Sequence, residues 1–168
     1  MIRSFVKDII RFFILVFVQV LVLNNVDLGG LINPYLYILF ILLLPFETPR
    51  WMLLILAFAT GYTIDYFSDL SGFHAAACVF IGFIRPSILK VFAPRDGYEK
   101  AIEPNIYEFG FKWYLKYAVS MTLVHHFLLF YLEVFHMSDF FITLARVLIS
   151  SIFTVILIIL SQYIFYRK

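Results

Sequence analysis

The sequence predicts an all-α membrane protein that crosses the bilayer six times, and three observations carry that prediction. Of 168 residues, 63% are apolar, 20% aromatic and only 14% charged, a composition that a soluble domain of this length could not bury. The apolar residues fall into runs of helical length separated by short polar breaks. Lys and Arg gather in alternate breaks, the pattern that orients membrane proteins.

Taken in order, Arg3, Lys7 and Arg11 precede an apolar run that ends at NNVD with no small-residue cleavage site, so residues 9–24 read as an uncleaved first span. Gln19 within it reads as a helix-contact residue. The second span is short: extended back through Pro34, it covers residues 31–46, below the usual length of about 17 to 25 residues. Neighbouring helices would have to shield it. FETPR then turns the chain into a third span, residues 51–67, and a fourth follows at 72–91. Arg85-Pro86 interrupts the fourth with an expected kink, because proline removes a backbone donor and leaves carbonyls that a guanidinium or a neighbouring helix could satisfy. A polar segment with turn signals at Pro94, Asp96-Gly97 and Pro104 leads to the fifth and sixth spans, residues 113–135 and 140–165. No repeat or linker divides residues 1–168, so a single membrane domain is expected.

Three basic residues lie at the amino terminus, one in the 46–50 turn, three in the 92–112 loop and two at the carboxyl terminus, while loops 24–33, 68–72 and 136–139 carry none. That alternation puts both termini in the cytoplasm. Trp51, Trp113, Tyr114, Tyr163 and Tyr166 then form an aromatic belt on the cytoplasmic side. No basic run interleaved with aromatics points to nucleic acid.

The chemistry is concentrated in GYTIDYFSDLSGFHA, residues 61–75, where Asp65 and His74 stand between two apolar spans. Ionisable groups at such depth are costly and face a partner or cavity. Counting helical rise places Asp65 roughly 21 Å from the cytoplasmic side, His125 and His126 roughly 18 to 20 Å, and Arg146 roughly 10 Å below the outer surface. In a core of about 30 Å these are nearly one level, so a polar cluster is expected in which Arg146 pairs with Asp65 and one of the two histidines adds a hydrogen bond, the alternative being that Asp65 and Arg146 each snorkel to the interface separately. Neighbouring histidines point about 100° apart, so one of them faces it.

Other chemistry finds little support. His74, His125, His126, Asp65 and Glu133 offer ligand atoms without HExxH, HxxxH or CxxC spacing. Ser120, Ser150 and Ser151 sit in helical runs and GxSxG is absent; no P-loop or GxGxxG occurs. Cys78, the one cysteine, follows Ala75, Ala76 and Ala77 and reads as a packing residue with no base in view. Ser150, Ser151, Thr154 and Ser161, with Ala57, Ala59 and Gly61, read as small faces for close helix packing. With no soluble domain, cofactor motif or catalytic constellation, a non-enzymatic interaction subunit is favoured.

Several stretches together resemble the rod shape-determining protein MreD family in the form found in Bacteroidetes-like bacteria: QVLVLNNVDLGG (19–30), LLLPFETPRW (42–51), GYTIDYFSDLSGFHAAA (61–77), FIRPSIL (83–89), PRDGYE (94–99), FKWYLKYA (111–118) and HHFLLFYLEVF (125–135). The resemblance implies a multi-pass inner-membrane protein of the cell-elongation machinery, partnering MreC and working with MreB filaments, RodA and a class B penicillin-binding protein in peptidoglycan synthesis. It implies no enzymatic activity and no cofactor, and a six-helix fold similar to the substrate-binding subunits of energy-coupling-factor vitamin transporters. Gly61, Asp65 and Gly72, with His74, look like the family's signature turn. Two mechanisms stay open: a scaffold that binds the MreC transmembrane helix, or a small-molecule or lipid-binding subunit with a pocket near Asp65 and Arg146, as in a vitamin-type transporter.

Overall fold

The structure, a computed structural model, describes residues 2–26, 32–95, 97–99, 102–134 and 139–165, with the side chains of residues 2–5 left out. Among the described residues it is all-α, with no strand. Its helices are α1 (Ile2–Leu21), α2 (Ile38–Leu43), α3 (Arg50–Phe67), α4 (Phe73–Val91), α5 (Ile106–Phe109), α6 (Phe111–Val134) and α7 (Phe140–Phe165), with a 3₁₀ turn at Leu23–Asn25. Three of these, α4, α6 and α7, are long and apolar enough to cross a membrane, which makes this a multi-pass membrane protein in outline.

The distribution of polarity is inverted relative to a water-soluble domain. Phe13, Phe17, Phe83 and Phe141 point outward, whereas Gln19, Asp65, His74, Arg85, His125, His126 and Gln162 are buried. Water would penalise that exterior, and lipid would not. Along α3 and α4 the contact is close because the faces are made of small residues: Ala57 and Gly61 on one, Ala75, Ala77 and Gly82 on the other.

The second expected span takes a different form. Residues 32–35 are non-helical, Leu36 and Tyr37 turn, and α2 lasts only six residues before Leu44 turns extended ahead of Pro45. Proline explains the second limit: Pro45 biases Leu44 away from helical angles. An extended residue advances about 3.3 Å against about 1.5 Å in a helix, so this mixed segment reaches further than six helical residues alone could. Tyr37 through Leu44 are buried throughout, walled by α1, α3, α4 and α6.

Helix α4 continues through the expected kink site, with Pro86 inside it. One other expectation needs correction. Tyr114 is buried, and Trp113 is half-buried with its indole N–H donated to Phe92 O at 2.7 Å, so the aromatic belt is smaller than composition suggests; Tyr166 lies outside the described residues. Around Trp113 gather Phe46, Tyr98 and Phe109, with Phe46 and Tyr98 stacked at 4.1 Å. Burial pushes the Tyr98 hydroxyl up to about 12, and it donates to Leu89 O at 2.7 Å.

Candidate functional site

The first four backbone N–H groups of a helix have no partner within it. Those of α4 emerge beside the end of α3, because the connection is short and Gly72 adopts a left-handed φ of 94° at the cap. Gly72 has no side chain to offer, and Asp65 supplies the cap from α3. Its Oδ1 accepts from the His74 backbone N–H at 3.0 Å, its Oδ2 accepts from Ala75 N–H at 2.8 Å, and Oδ1 also accepts from His74 Nδ1 at 3.0 Å. A carboxylate at a helix N-terminus is further favoured by the helix dipole.

Gly61 makes this approach possible. A Cβ there would lie 2.4 Å from His74 O and 2.5 Å from Ala75 Cα, so the backbones of α3 and α4 touch where any side chain would intervene. Gly61 and Asp65 stand one turn apart on the same face: the glycine admits the first turn of α4 and the aspartate caps it. The turn carrying Gly61, Asp65 and Gly72 is thus a structural staple.

The non-helical lead-in to α2 is satisfied from outside. Asn33 N–H donates to Ser150 Oγ at 3.0 Å, Tyr35 N–H to Thr154 Oγ1 at 3.0 Å, and Leu36 N–H to Gln19 Oε1 at 2.8 Å. Gln19 Nε2 returns a bond to Pro34 O at 3.1 Å. Buried backbone outside a helix requires such partners. The residues expected to be packing and contact groups are therefore a clamp on a broken segment.

At the other end of α2 the carbonyls are held by Arg85. Its Nη2 donates to Leu44 O and, at 3.4 Å, to Leu42 O, while its Nε donates to Tyr117 Oη at 2.9 Å. Tyr117 Oη donates in turn to Leu42 O at 3.1 Å. A cation at the C-terminal end of a helix is favourably placed against its dipole. Among the described residues no carboxylate pairs with Arg85, so the guanidinium serves α2 and not the carbonyls freed by its neighbour Pro86.

The histidines lie between these two ends. His126 Nδ1 donates to Thr122 O at 3.0 Å, leaving Nε2 to accept from Thr154 Oγ1 at 3.1 Å; Thr154 is thus donor to His126 and acceptor for Tyr35. His125 Nε2 meets Tyr37 Oη at 3.0 Å and lies 3.9 Å from Cys78 Sγ. Both histidines are fully buried, because α6 is covered by both α4 and α7. A base does stand near Cys78, in a place sealed from solvent. Tyr35 is edge-on to His74 at 5.2 Å and near His126 at 5.4 Å.

Arg146 does not pair with Asp65. It bonds Glu133 at 3.0 Å, sits 4.2 Å above the Phe130 ring and, with the Asn33 amide oxygen turned toward it, donates twice to Asn33 at 3.1 Å. Helical rise along a span says nothing of azimuth, the direction in which a side chain leaves the helix. The helix hairpin of α6 and α7 puts Glu133 and Arg146 about equally far from the turn near 139, whereas Asp65 is held by α4.

A cleft of about 390 Å³ opens beside this assembly, lined by Asn24, Asn33, Tyr35, Ser68 and His74 among others. His74 Nε2 has no hydrogen-bond partner. Asp65, His126 and Arg146 do not line the cleft. Among the described residues no three His, Cys, Asp or Glu side chains are grouped to hold a metal.

No protein-family model matches the chain, and no curated protein or solved structure matches it.

Proposed function

We propose that the chain is a non-enzymatic scaffold subunit of a membrane assembly, crossing the bilayer six times with α1, the mixed α2 segment, α3, α4, α6 and α7, and with both termini in the cytoplasm. Within that class we assign it to the MreD family: a subunit of the bacterial elongation complex in the inner membrane, binding MreC and supporting peptidoglycan synthesis alongside MreB filaments, RodA and a class B penicillin-binding protein.

The observation that carries the scaffold reading is where the ionisable side chains are spent. Asp65, Arg85 and His126 are each committed to a backbone group that holds the bundle together, which leaves the apolar exterior as the surface available to partners. The family assignment rests on the quoted sequence stretches, among which the Gly61–Asp65 staple now has a physical purpose. Depletion of the protein from its native cells tests it: rods should round and swell as side-wall synthesis is lost. Normal shape combined with loss of uptake of a small nutrient would replace it with the transporter reading.

That second reading is favoured by one observation, the polar cleft bordered by His74, whose Nε2 lacks a partner. Its volume lies within the range of small-ligand sites, about 300 to 1,000 Å³. A small polar molecule would then bind on the outer side, with Asp65 fixing the His74 ring through Nδ1.

A further inference from the structure

The cleft of about 390 Å³ beside the Asp65–His74 staple is graded from wall to rim. Pro34, Tyr35 and His74 are buried and form its inner wall, while Asn24, Asn25 and Asp69 are exposed and form its rim. Asp65 holds the His74 ring through Nδ1 at 3.0 Å from outside the cleft. The ring edge that lines the cleft is therefore the one carrying Nε2, the nitrogen without a hydrogen-bond partner. With Nδ1 donating to the carboxylate, Nε2 of the neutral ring is an acceptor. A buried acceptor left unmade is costly, which favours a ligand that brings a donor.

The rim asks for the same chemistry. Asn25 gives its amide N–H groups to Val20 O at 2.9 Å and Leu21 O at 3.2 Å, which leaves its Oδ1 to accept. Asp69 adds a carboxylate, and the ion pairs of the described residues do not include it. No Lys or Arg stands among the described lining residues. Arg146, which reaches Asn33, is itself paired with Glu133 and does not line the cleft. One donor is also on offer: Ser68 Oγ accepts from Asn24 Nδ2 at 3.2 Å, so its own O–H is turned elsewhere. The rings of Tyr35 and Phe67 complete the lining, and a cation within about 6 Å of an aromatic face is attracted to it.

We propose that this cleft binds a small organic cation carrying a primary ammonium group and a hydroxyl. The ammonium brings three N–H donors, shared between the Asp69 carboxylate and Asn25 Oδ1 at the rim. The hydroxyl donates to His74 Nε2 at the inner wall and accepts from Ser68. The inference rests on the ligand-binding reading of this cleft and deepens it by naming the class of ligand.

The test titrates the purified full chain, with isotope-labelled histidine and in detergent, with ethanolamine, ethylene glycol and glycolate: a cation, a neutral diol and an anion of one size. Nuclear magnetic resonance follows the His74 ring, assigned by the loss of its signal in His74→Gln. Ethanolamine should move that signal along a saturable curve roughly ten-fold tighter than ethylene glycol, as a hydrogen bond to a charged group implies, and glycolate should not move it. Asp69→Asn keeps a residue that tolerates the left-handed φ of 53° found there. It should weaken ethanolamine roughly five-fold or more and leave ethylene glycol unchanged. Equal binding of the three probes, or a preference for glycolate, overturns the amine class and leaves a cleft for ligands of other chemistry. No saturable shift with any probe overturns the ligand-binding reading as well. Recovery of MreC in copurification is a separate readout that bears on the scaffold reading alone.

Discussion

Asp65, near the end of α3, holds His74 twice: its carboxylate accepts the His74 backbone N–H and the His74 ring Nδ1, each at 3.0 Å. With Ala75 N–H on the second oxygen, one buried side chain joins two helices and fixes an imidazole.

Asp65→Ala removes the acceptor for two backbone donors and a ring nitrogen at once. At about 1 to 3 kcal/mol for a buried donor left unmade, with part of the loss recovered by water or local fraying, the cost is about 3 kcal/mol. Asp65→Asn keeps one acceptor oxygen and should lose about half as much. Thermal unfolding of purified protein in detergent, followed by tryptophan fluorescence and size exclusion, checks the ranking; an unaltered midpoint for Asp65→Ala would refute the cap.

Gly61→Ala should be worse than Gly82→Ala. At Gly61 the added methyl meets backbone atoms within 2.6 Å, whereas at Gly82 its nearest neighbour is the Ala57 Cβ at 3.1 Å. Backbone cannot yield without α3 and α4 separating, and overpacking of that kind costs about 1 to 3 kcal/mol or more. Comparing the monodisperse yield of the two variants decides the order.

Arg85→Met would leave Leu42 and Leu44 carbonyls without their donor, with an expected loss of about 2 to 4 kcal/mol. Arg85→Lys keeps the charge but not the fork that reaches both α2 and Tyr117, so it should rescue only in part. Tyr117→Phe should cost about 1 kcal/mol. Because Arg85 and Tyr117 share Leu42 O, the double variant should cost less than the sum; strict additivity in a thermal-unfolding cycle would contradict the network.

Thr154→Val, nearly isosteric, takes the acceptor from Tyr35 N–H and the donor from His126 together, for about 1 to 3 kcal/mol. Protection of the Tyr35 amide in hydrogen exchange should fall in this variant, while that of the α3–α4 staple at Ala75 should not.

Glu133 and Arg146 form a partly exposed pair, with side chains 17% and 23% accessible. Truncating Glu133 should cost no more than about 1 kcal/mol, and truncating Arg146, which also loses Asn33 and the Phe130 ring, should cost more, about 1 to 3 kcal/mol. Swapping the charges should restore whatever Glu133→Arg alone loses, a rescue that Asp65→Arg paired with Arg146→Asp should not show.

Much of this fold is legible in the sequence, and its limits have physical causes. The apolar runs at 51–67, 72–91, 113–135 and 140–165 fall on α3, α4, α6 and α7, because a long run bounded by polar breaks leaves few options. The special standing of Gly61, Asp65 and His74 is also visible, since buried charge needs a reason. Which partner each charge takes is not visible: helical rise gives the depth of Asp65 and Arg146 but not the face each presents. Hairpin symmetry could have found Glu133 for Arg146. The roles of Gln19, Ser150 and Thr154 are hidden more deeply, because they serve backbone donors that are unpaired only once residues 32–35 fail to form a helix. Pro34 and Pro45 bracketing α2 are the signal that could have exposed that break.

The most direct test of the central claim is affinity copurification from native membranes, comparing wild type with Gly61→Ala, Asp65→Ala and Arg146→Ala. The account predicts recovery of MreC and the elongation synthases with wild type, near-complete loss with Gly61→Ala or Asp65→Ala at matched protein levels, and retention with Arg146→Ala. Recovery of an ATPase and a transport partner, with no wall-synthesis proteins, would contradict it.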